Sequence, residues 1–569
     1  MKLYNRPMTA LTIILVITSA APALGVKTPA KRRAVATKAP RTTTPAPIIA
    51  PITTVVAARP KASKAAVVAV ASETASGWLP GEGQWGGAGG TVASAVFDRM
   101  MLVGTDGAAV PNLLESASSS ADHKTWTLTA RPGISFHNGE ALDGASIAAN
   151  LESARTGSVT ASALANLVGC SSTGQVATCT MRAAWVTFDR ALTSQLGIVA
   201  APAQIKTKDR QHPIGTGPFM CVGTCWTPNV AMKLVKNPNY WRKGLPKLDA
   251  LEFRPIPDYG QASAQLQGGL VQFWTFPGVI GPITTEAFAK NAITLTTTER
   301  GDSTIYGVVN MAKRDNPLVD VRLRRAWAFA IDIDTLIQLR APGASPANGP
   351  FAKGNVGYVA QSGYPKFNLQ KAKDLVDEYK KEKAVSKIEV TLGWTNGVSE
   401  QALLAVIKQM VEQAGFDVKL APAVDGSAAV SLMLTGTGPD VALNGWFAFL
   451  DPDAFRVFLG SEGCGGPQIC PLTIGRNVLN WGRVVDASVD ASFDQIRSNS
   501  DPEVRKWAAE SINRIYGDQA YVLWLYRNRT NVASCGECSG VGAMVGVNGE
   551  PLPDVVASQF LGAAWLAVG

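Results

Sequence analysis

Residues 214–241, IGTGPFMCVGTCWTPNVAMKLVKNPNYW, constrain this chain more than any other stretch. A Gly-Thr-Gly-Pro-Phe turn opens the stretch, two short strands follow, and an Asn-Pro-Asn-Tyr-Trp turn closes it. It carries no catalytic pattern.

At 569 residues the chain exceeds what one compact core sustains, so two or more domains are expected. Hydrophobic residues at 46% and charged residues at 17% suit a globular protein with large buried surfaces. The net charge of +9 is misleading. Residues 1–64 hold eleven basic residues and no acidic one, which leaves 42 basic against 44 acidic beyond position 64. The body is nearly neutral and carries no basic footprint for nucleic acid.

Residues 1–25 have the layout of a secretory signal: Lys2 and Arg6, an apolar run from Leu11 to Ile17, then small residues around Ala21, Ala23 and Gly25. The run is short for a bilayer and no longer one follows, so an exported, periplasmic protein is expected. An uncleaved membrane anchor is the rival reading. Residues 26–64, rich in Ala, Pro, Thr, Lys and Arg without periodicity, read as a disordered basic linker.

Eight cysteines in an exported chain point to disulfides. They fall into close pairs, 170/179, 221/225, 464/470 and 535/538, and local pairing is the simplest of 105 connectivities. Cys535-Gly-Glu-Cys538 also has redox or zinc spacing, but it lacks a thioredoxin-like context, and the three histidines (His123, His137, His212) do not accompany it.

Residues 66–72 read as a buried first strand, followed by a Gly-rich loop and an apolar-patterned helix through Val92, Ala95, Val96 and Met100. The loop holds a formal G-x-G-x-x-G (Gly81, Gly83, Gly86), yet no second strand with a terminal acid follows, so a loop facing a cleft is preferred to a nucleotide site. His137, beside Phe136 and Asn138-Gly139, reads as a structural hydrogen-bonding histidine. Farther on, KIEVTLGW (387–394), SEQALLAVIKQMVEQA (399–414) and FDVKLAPA (416–423) form a strand-helix-strand unit, which implies a parallel pair.

Five ordered blocks between about residues 65 and 530 resemble the extracytoplasmic solute-binding proteins of the peptide/nickel-binding family (family 5) of ABC importers. They are the 214–241 signature, Arg131-x-Gly133-x-x-Phe136-His137-x-Gly139, residues 248–275, the helix pattern from Asp320 through Arg322, Arg325 and Ala326 to Asp332, and DVALNGWFAFLDPDAF at 440–455. The resemblance implies an α/β, two-lobed periplasmic-binding-protein fold with an enlarged first lobe and a ligand cleft between lobes that close about a hinge. The expected division is a signal peptide at 1–25, the linker at 26–64, lobe I at 65–305 with an inserted subdomain at about 112–205, lobe II at 306–514, and a C-terminal segment, 515–569, that returns to lobe I.

The resemblance also implies capture of a small organic solute, peptide-like in build, for an inner-membrane permease. The protein is expected to be a monomer without nucleic-acid partner, cofactor, metal or catalytic residue. No G-x-S-x-G elbow, Ser-Lys pair or His cluster supports the rival reading of an exported hydrolase. One departure is informative. Peptide-binding relatives place an Asp where Phe449 stands, and that carboxylate pairs with the ligand's amine. Phe449 cannot do so, which makes a blocked peptide or a glycoside credible. Ligand contacts are expected from Trp446, Phe447 and Phe449, with Trp274 facing them and Tyr306 at the lobe crossover. Core filling is the competing role for each ring.

Overall fold

The six apolar residues Ala65–Val70 form an interior strand, parallel to Ala250–Pro255 on one side and to Phe273–Pro277 on the other. Both faces of such a strand are covered, so an apolar run replaces alternation. The computed structural model describes residues 65–547 apart from 73, 75, 84, 86, 105–106, 279, 298–302, 447–448, 450, 477, 537 and 539–546. The expected signal peptide and basic linker lie outside the described residues. Among the described residues, no helix is long and apolar enough to cross a membrane.

The first lobe is built on an eight-stranded sheet with Ala65–Val70 near its middle and Thr294–Thr297 and Phe219–Met220 at its ends. Inserted into it is a four-stranded antiparallel sheet, in the order Leu114–Ser119, Thr125–Ala130, Val176–Met181 and Leu167–Thr173, covered by the helix Gly144–Thr156. That helix begins with a capping box in which Asp143 and Ser146 satisfy each other's backbone N–H groups.

The 214–241 stretch turns out to be a structural knot. A Cβ on Gly215 would sit 2.1 Å from the carbonyl oxygen of Val96, and one on Gly217 would sit 2.6 Å from it, so only glycine lets the turn lie against the end of the helix Gly87–Val96. Asp98, just beyond that helix, accepts from Thr216 Oγ1 (3.0 Å), Tyr240 Oη (3.2 Å) and Trp241 Nε1 (2.9 Å). His137 ties in the other recognised motif. Its Nε2–H donates to the Gly217 carbonyl (2.9 Å) and its Nδ1 accepts from the Gly215 N–H (3.3 Å), which fixes a neutral ring in one tautomer.

The second lobe has a six-stranded sheet in the order Ser345–Pro346, Val522–Asn528, Ser303–Val309, Val441–Trp446, Glu389–Gly393 and Asp417–Leu420. Glu389–Gly393 and Asp417–Leu420 are parallel and are joined by the helix Val398–Glu412. Arg322 pairs with Asp320, Glu378 and Glu382, while Arg324 donates to the carbonyls of Leu318, Val319 and Gln519, so this arginine cluster is spent on structure.

Two expected boundaries move. Ser303–Val309 lies wholly in the second sheet, so that lobe begins before 306. The chain does not return to lobe I at 515. The helix Pro502–Gln519 packs Ala508, Ile512 and Tyr516 into the second lobe, and Val522–Asn528 pairs in its sheet. Only Thr530–Ser534, one residue farther on, pairs with Phe273–Pro277 and Thr294–Thr297 of the first sheet. The cysteines form four local disulfides, 170–179, 221–225, 464–470 and 535–538.

Candidate functional site

Where the second lobe's strand Val441–Trp446 ends, the chain enters an Asp-Pro turn that faces the first lobe. Asp451 caps this turn, its Oδ1 accepting from the Asp453 N–H at 2.9 Å. The turn delivers two carboxylates to the boundary. Asp453 Oδ2 accepts from Trp185 Nε1 (2.8 Å) and Thr187 Oγ1 (3.1 Å) of the insert, while its Oδ1 accepts from Arg497 Nε (3.0 Å). Asp451 Oδ2 accepts from Arg190 Nη1 (2.6 Å) and Arg505 Nη2 (3.0 Å). The Arg497 guanidinium lies 4.3 Å from the centre of the Trp185 ring, and its carbonyl accepts from the Val186 N–H at 2.7 Å.

This is an ionic seam between the lobes. Asp453 and Arg497 are only 5% and 6% exposed. A buried charge pair holds only when its remaining valences are filled, as they are here. Burial raises the nearby Asp189 carboxyl above the ordinary aspartate range, against the pull of its own hydrogen bonds and of Arg190.

Beside the seam lies a cavity of about 190 Å³ walled by both lobes. The first lobe contributes Trp85, from the Gly-rich loop, and Gln195. Gln195 Nε2 pins that loop by donating to the carbonyls of Pro80 (2.7 Å) and Gly83 (2.6 Å). Trp85 stacks on Phe97 (5.7 Å, 18°) and donates Nε1–H to the Gly77 carbonyl. The second lobe contributes Phe449 and Phe458, stacked at 5.8 Å and 21°, with Phe455 edge-on to Phe449 at 5.3 Å. Rings held by other rings form a stiff wall that offers contact area at little ordering cost.

The expected ligand contacts part company here. Phe449 lines the cavity. Trp446 ends its strand next to it, and the side chain of Trp446 and all of Phe447 lie outside the described residues. Trp274 is elsewhere: 1% exposed, it stacks on Phe276 at 3.8 Å and packs against Phe288 in the core of the first lobe. Tyr306 is likewise 1% exposed in the core of the second lobe, where its hydroxyl accepts from Asn444 Nδ2 at 3.3 Å. Both sit on strands covered on both faces, and neither lines the 190 Å³ cavity. Trp185, Thr187, Arg190 and Arg497 were not singled out from sequence. Trp185 and Asp453 are 268 residues apart, and no local spacing announces such a pair. Among the described residues, no group of three His, Cys, Asp or Glu side chains is arranged to hold a metal ion.

Residues 108–466 match the family model for bacterial extracellular solute-binding proteins, family 5. The chain is 27% identical over 372 residues to the glutathione-binding protein GsiB of Pectobacterium atrosepticum, covering 63% of this chain and 70% of that one. Among solved structures, the binding protein AgaA of A. tumefacien R10 in complex with agropinic acid aligns with a TM-score of 0.73 at 22% identity, over 88% of this chain and 97% of AgaA. DppA of Helicobacter pylori in complex with the peptide STSA aligns at 0.74 and 19% identity, over 86% and 98%. These structures share the two-lobed fold.

Proposed function

The chain belongs to the family 5 bacterial extracellular solute-binding proteins, and we propose from that premise that it captures a small, peptide-like organic solute in the periplasm for an ABC permease. The observation that carries the site is the cavity walled by Trp85 and Gln195 from one lobe and Phe449 and Phe458 from the other, beside a seam of buried hydrogen bonds that only an apposed pair of lobes can form. Lobes that close on a ligand bury it and give the permease a distinct shape to recognise. Phe449 is the central contact, with Trp446 and Phe447 beside it in the chain. The protein acts as a monomer and binds without turnover.

A non-peptide or amine-blocked ligand is the second reading, and the engaged carboxylates favour it. Asp451 and Asp453 are the acidic residues in the described cavity wall, and both are committed to arginines. An ammonium would find no open carboxylate there.

Incubation with a library of peptides and glycosides should give thermal shifts while every ligand is recovered unchanged. Steady conversion of a ligand by the pure protein would end the receptor reading. Phe449→Asp should weaken an amine-free ligand by about 1–3 kcal/mol and strengthen free-amine peptides. If affinities for both kinds stay unchanged, Phe449 is not in the site.

A further inference from the structure

A second, larger cavity of about 900 Å³ lies between the same two lobes. Its first-lobe wall is the 158–166 segment and Arg182, and its second-lobe wall is the disulfide-clipped loop around Cys464 and the helix Ala487–Ser498. Val159, Leu479 and Arg497 line both cavities, so the partition between them is one layer of side chains thick.

The sizes are unequal in a way that matters. A dry cavity of about 150 Å³ accepts a single benzene ring, so 190 Å³ holds one ring and little more. Sites for drug-sized ligands run from about 300 to 1,000 Å³, the range of the outer cavity. A ligand as large as a short peptide or an oligosaccharide therefore cannot sit in the inner cavity alone.

The linings differ too. The inner wall sets four aromatic rings, Trp85, Trp185, Phe449 and Phe458, beside the polar groups of the seam, whereas the outer one has no aromatic ring among its described residues and carries Ser158, Ser162, Asn166, Ser461 and Ser498. Its charges are largely matched. Arg456 pairs with Glu462 and Asp494, Arg497 pairs with Glu462 and with Asp453, and Asp490 accepts from both the N–H and Oγ of Ser461. Arg182 and Arg476 add two cations, so the outer wall sets four guanidiniums against the three carboxylates of Glu462, Asp490 and Asp494 and has no excess negative charge to draw an ammonium. The outer wall's hydroxyls and the Asn166 amide match the oxygens and N–H groups of a hydroxyl-rich or amide-rich body.

We infer that the two cavities are compartments of one site, and that the ligand is a neutral two-part solute. A single apolar or aromatic ring occupies the inner compartment. A larger oxygen-rich body, of sugar hydroxyls or blocked peptide amides, fills the outer one against its serines and Asn166. This rests on the receptor reading above and narrows it to a ligand class.

Calorimetry with defined probes tests it. Phenyl β-cellobioside represents the glycoside source and N-acetyl-Phe-Ala-Ala-amide the peptide source, with phenol, cellobiose and free-amine Phe-Ala-Ala-amide as partial probes. At least one neutral two-part probe should bind tenfold or more tightly than either of its parts, and acetylation should strengthen the peptide about tenfold. Ser498→Trp, an exposed position on the outer wall, should weaken the two-part probe at least tenfold and leave phenol unchanged, with the melting temperature confirming the fold. If two-part probes bind no better than phenol, or Ser498→Trp leaves them unaffected, the outer cavity is not part of the site. If Phe449→Asp still weakens phenol in that case, only the two-part inference falls. If no probe binds the wild-type protein, the ligand class is wrong. If Phe449→Asp alters no ligand at all, the receptor site itself is misplaced.

Discussion

Two seams hold the inserted subdomain, and they are built from different chemistry. Toward its own lobe the insert is fixed by neutral groups that satisfy backbone. His137 bridges Gly215 and Gly217, and Asn150 donates to the Ala200 carbonyl and accepts from the Ala200 N–H, both at 2.8 Å. Ala200 lies in the main core of the first lobe and not, as the expected bound near 205 would have it, in the insert. Toward the opposite lobe it is held by Trp185, Thr187 and Arg190 on the charged pair Asp453 and Asp451. Neutral groups left unpaired in a buried place cost free energy with no relief, so the first joint is permanent. Charged groups regain strong hydration when a cleft opens, and this offsets much of what their separation costs. The second joint can therefore open and close.

Breaking each seam in turn should expose that difference. The largest effect is expected from Asp453→Ala, which leaves buried Arg497 with Glu462 alone and strands Trp185 Nε1 and Thr187 Oγ1, and should destabilise the protein by about 3 kcal/mol or more in chemical denaturation, with ligand affinity falling as well. Asn150→Ala strands both polar groups of Ala200 and should cost about 2–3 kcal/mol of stability. It should leave affinity unchanged, because the broken joint is the permanent one. An affinity loss matching the stability loss would erase the distinction.

Trp185→Phe removes one hydrogen bond to a carboxylate across the lobe boundary and should lower ligand affinity by roughly 1.5 kcal/mol, read by calorimetry, with a stability loss from its buried ring that stays below that of Asp453→Ala. A stability loss with affinity unchanged would make the ionic seam a permanent joint too. The smallest effect is one of pH. Burial lowers the pKa of His137, against the hydrogen bond to Gly217 and the charge of Asp98. The unfolded chain then binds more protons than the fold between the lowered value and about 6.5, so stability is full above 6.5 and is lost as pH falls through that window. The slope should stay under about 1.4 kcal/mol per pH unit and vanish in His137→Gln.

Much of the fold was legible because local chemistry specified it. Residues 387–423 carry a period-3.6 helix between two apolar strands, the close cysteines pair as neighbours, and the glycines at 215 and 217 are required by a backbone approach. Aromatic roles were less legible. FWTFP at 273–277 and STIYGVV at 303–309 are covered on both faces, so each ring along them is core whatever its place in the alternation. Phe449 lies past the end of its strand, where the chain is free to face the cavity. The seam itself was invisible, since it joins residues that only the folded chain brings together.

One crossing between the lobes, at Arg529, has a mechanical consequence. Val522–Asn528 is registered in one sheet and Thr530–Ser534 in the other, and the Arg529 carbonyl accepts from the Gly278 N–H at 2.8 Å. A one-residue joint clamped on both sides can neither stretch nor slide, which leaves twisting about its own backbone bonds as the cheapest movement. The lobes are thus geared like a lever, nearly still at this fulcrum and travelling farther the more distant a group lies from it. Stiffening position 529 should act on every remote contact at once, as shortening a throttle linkage limits the whole stroke.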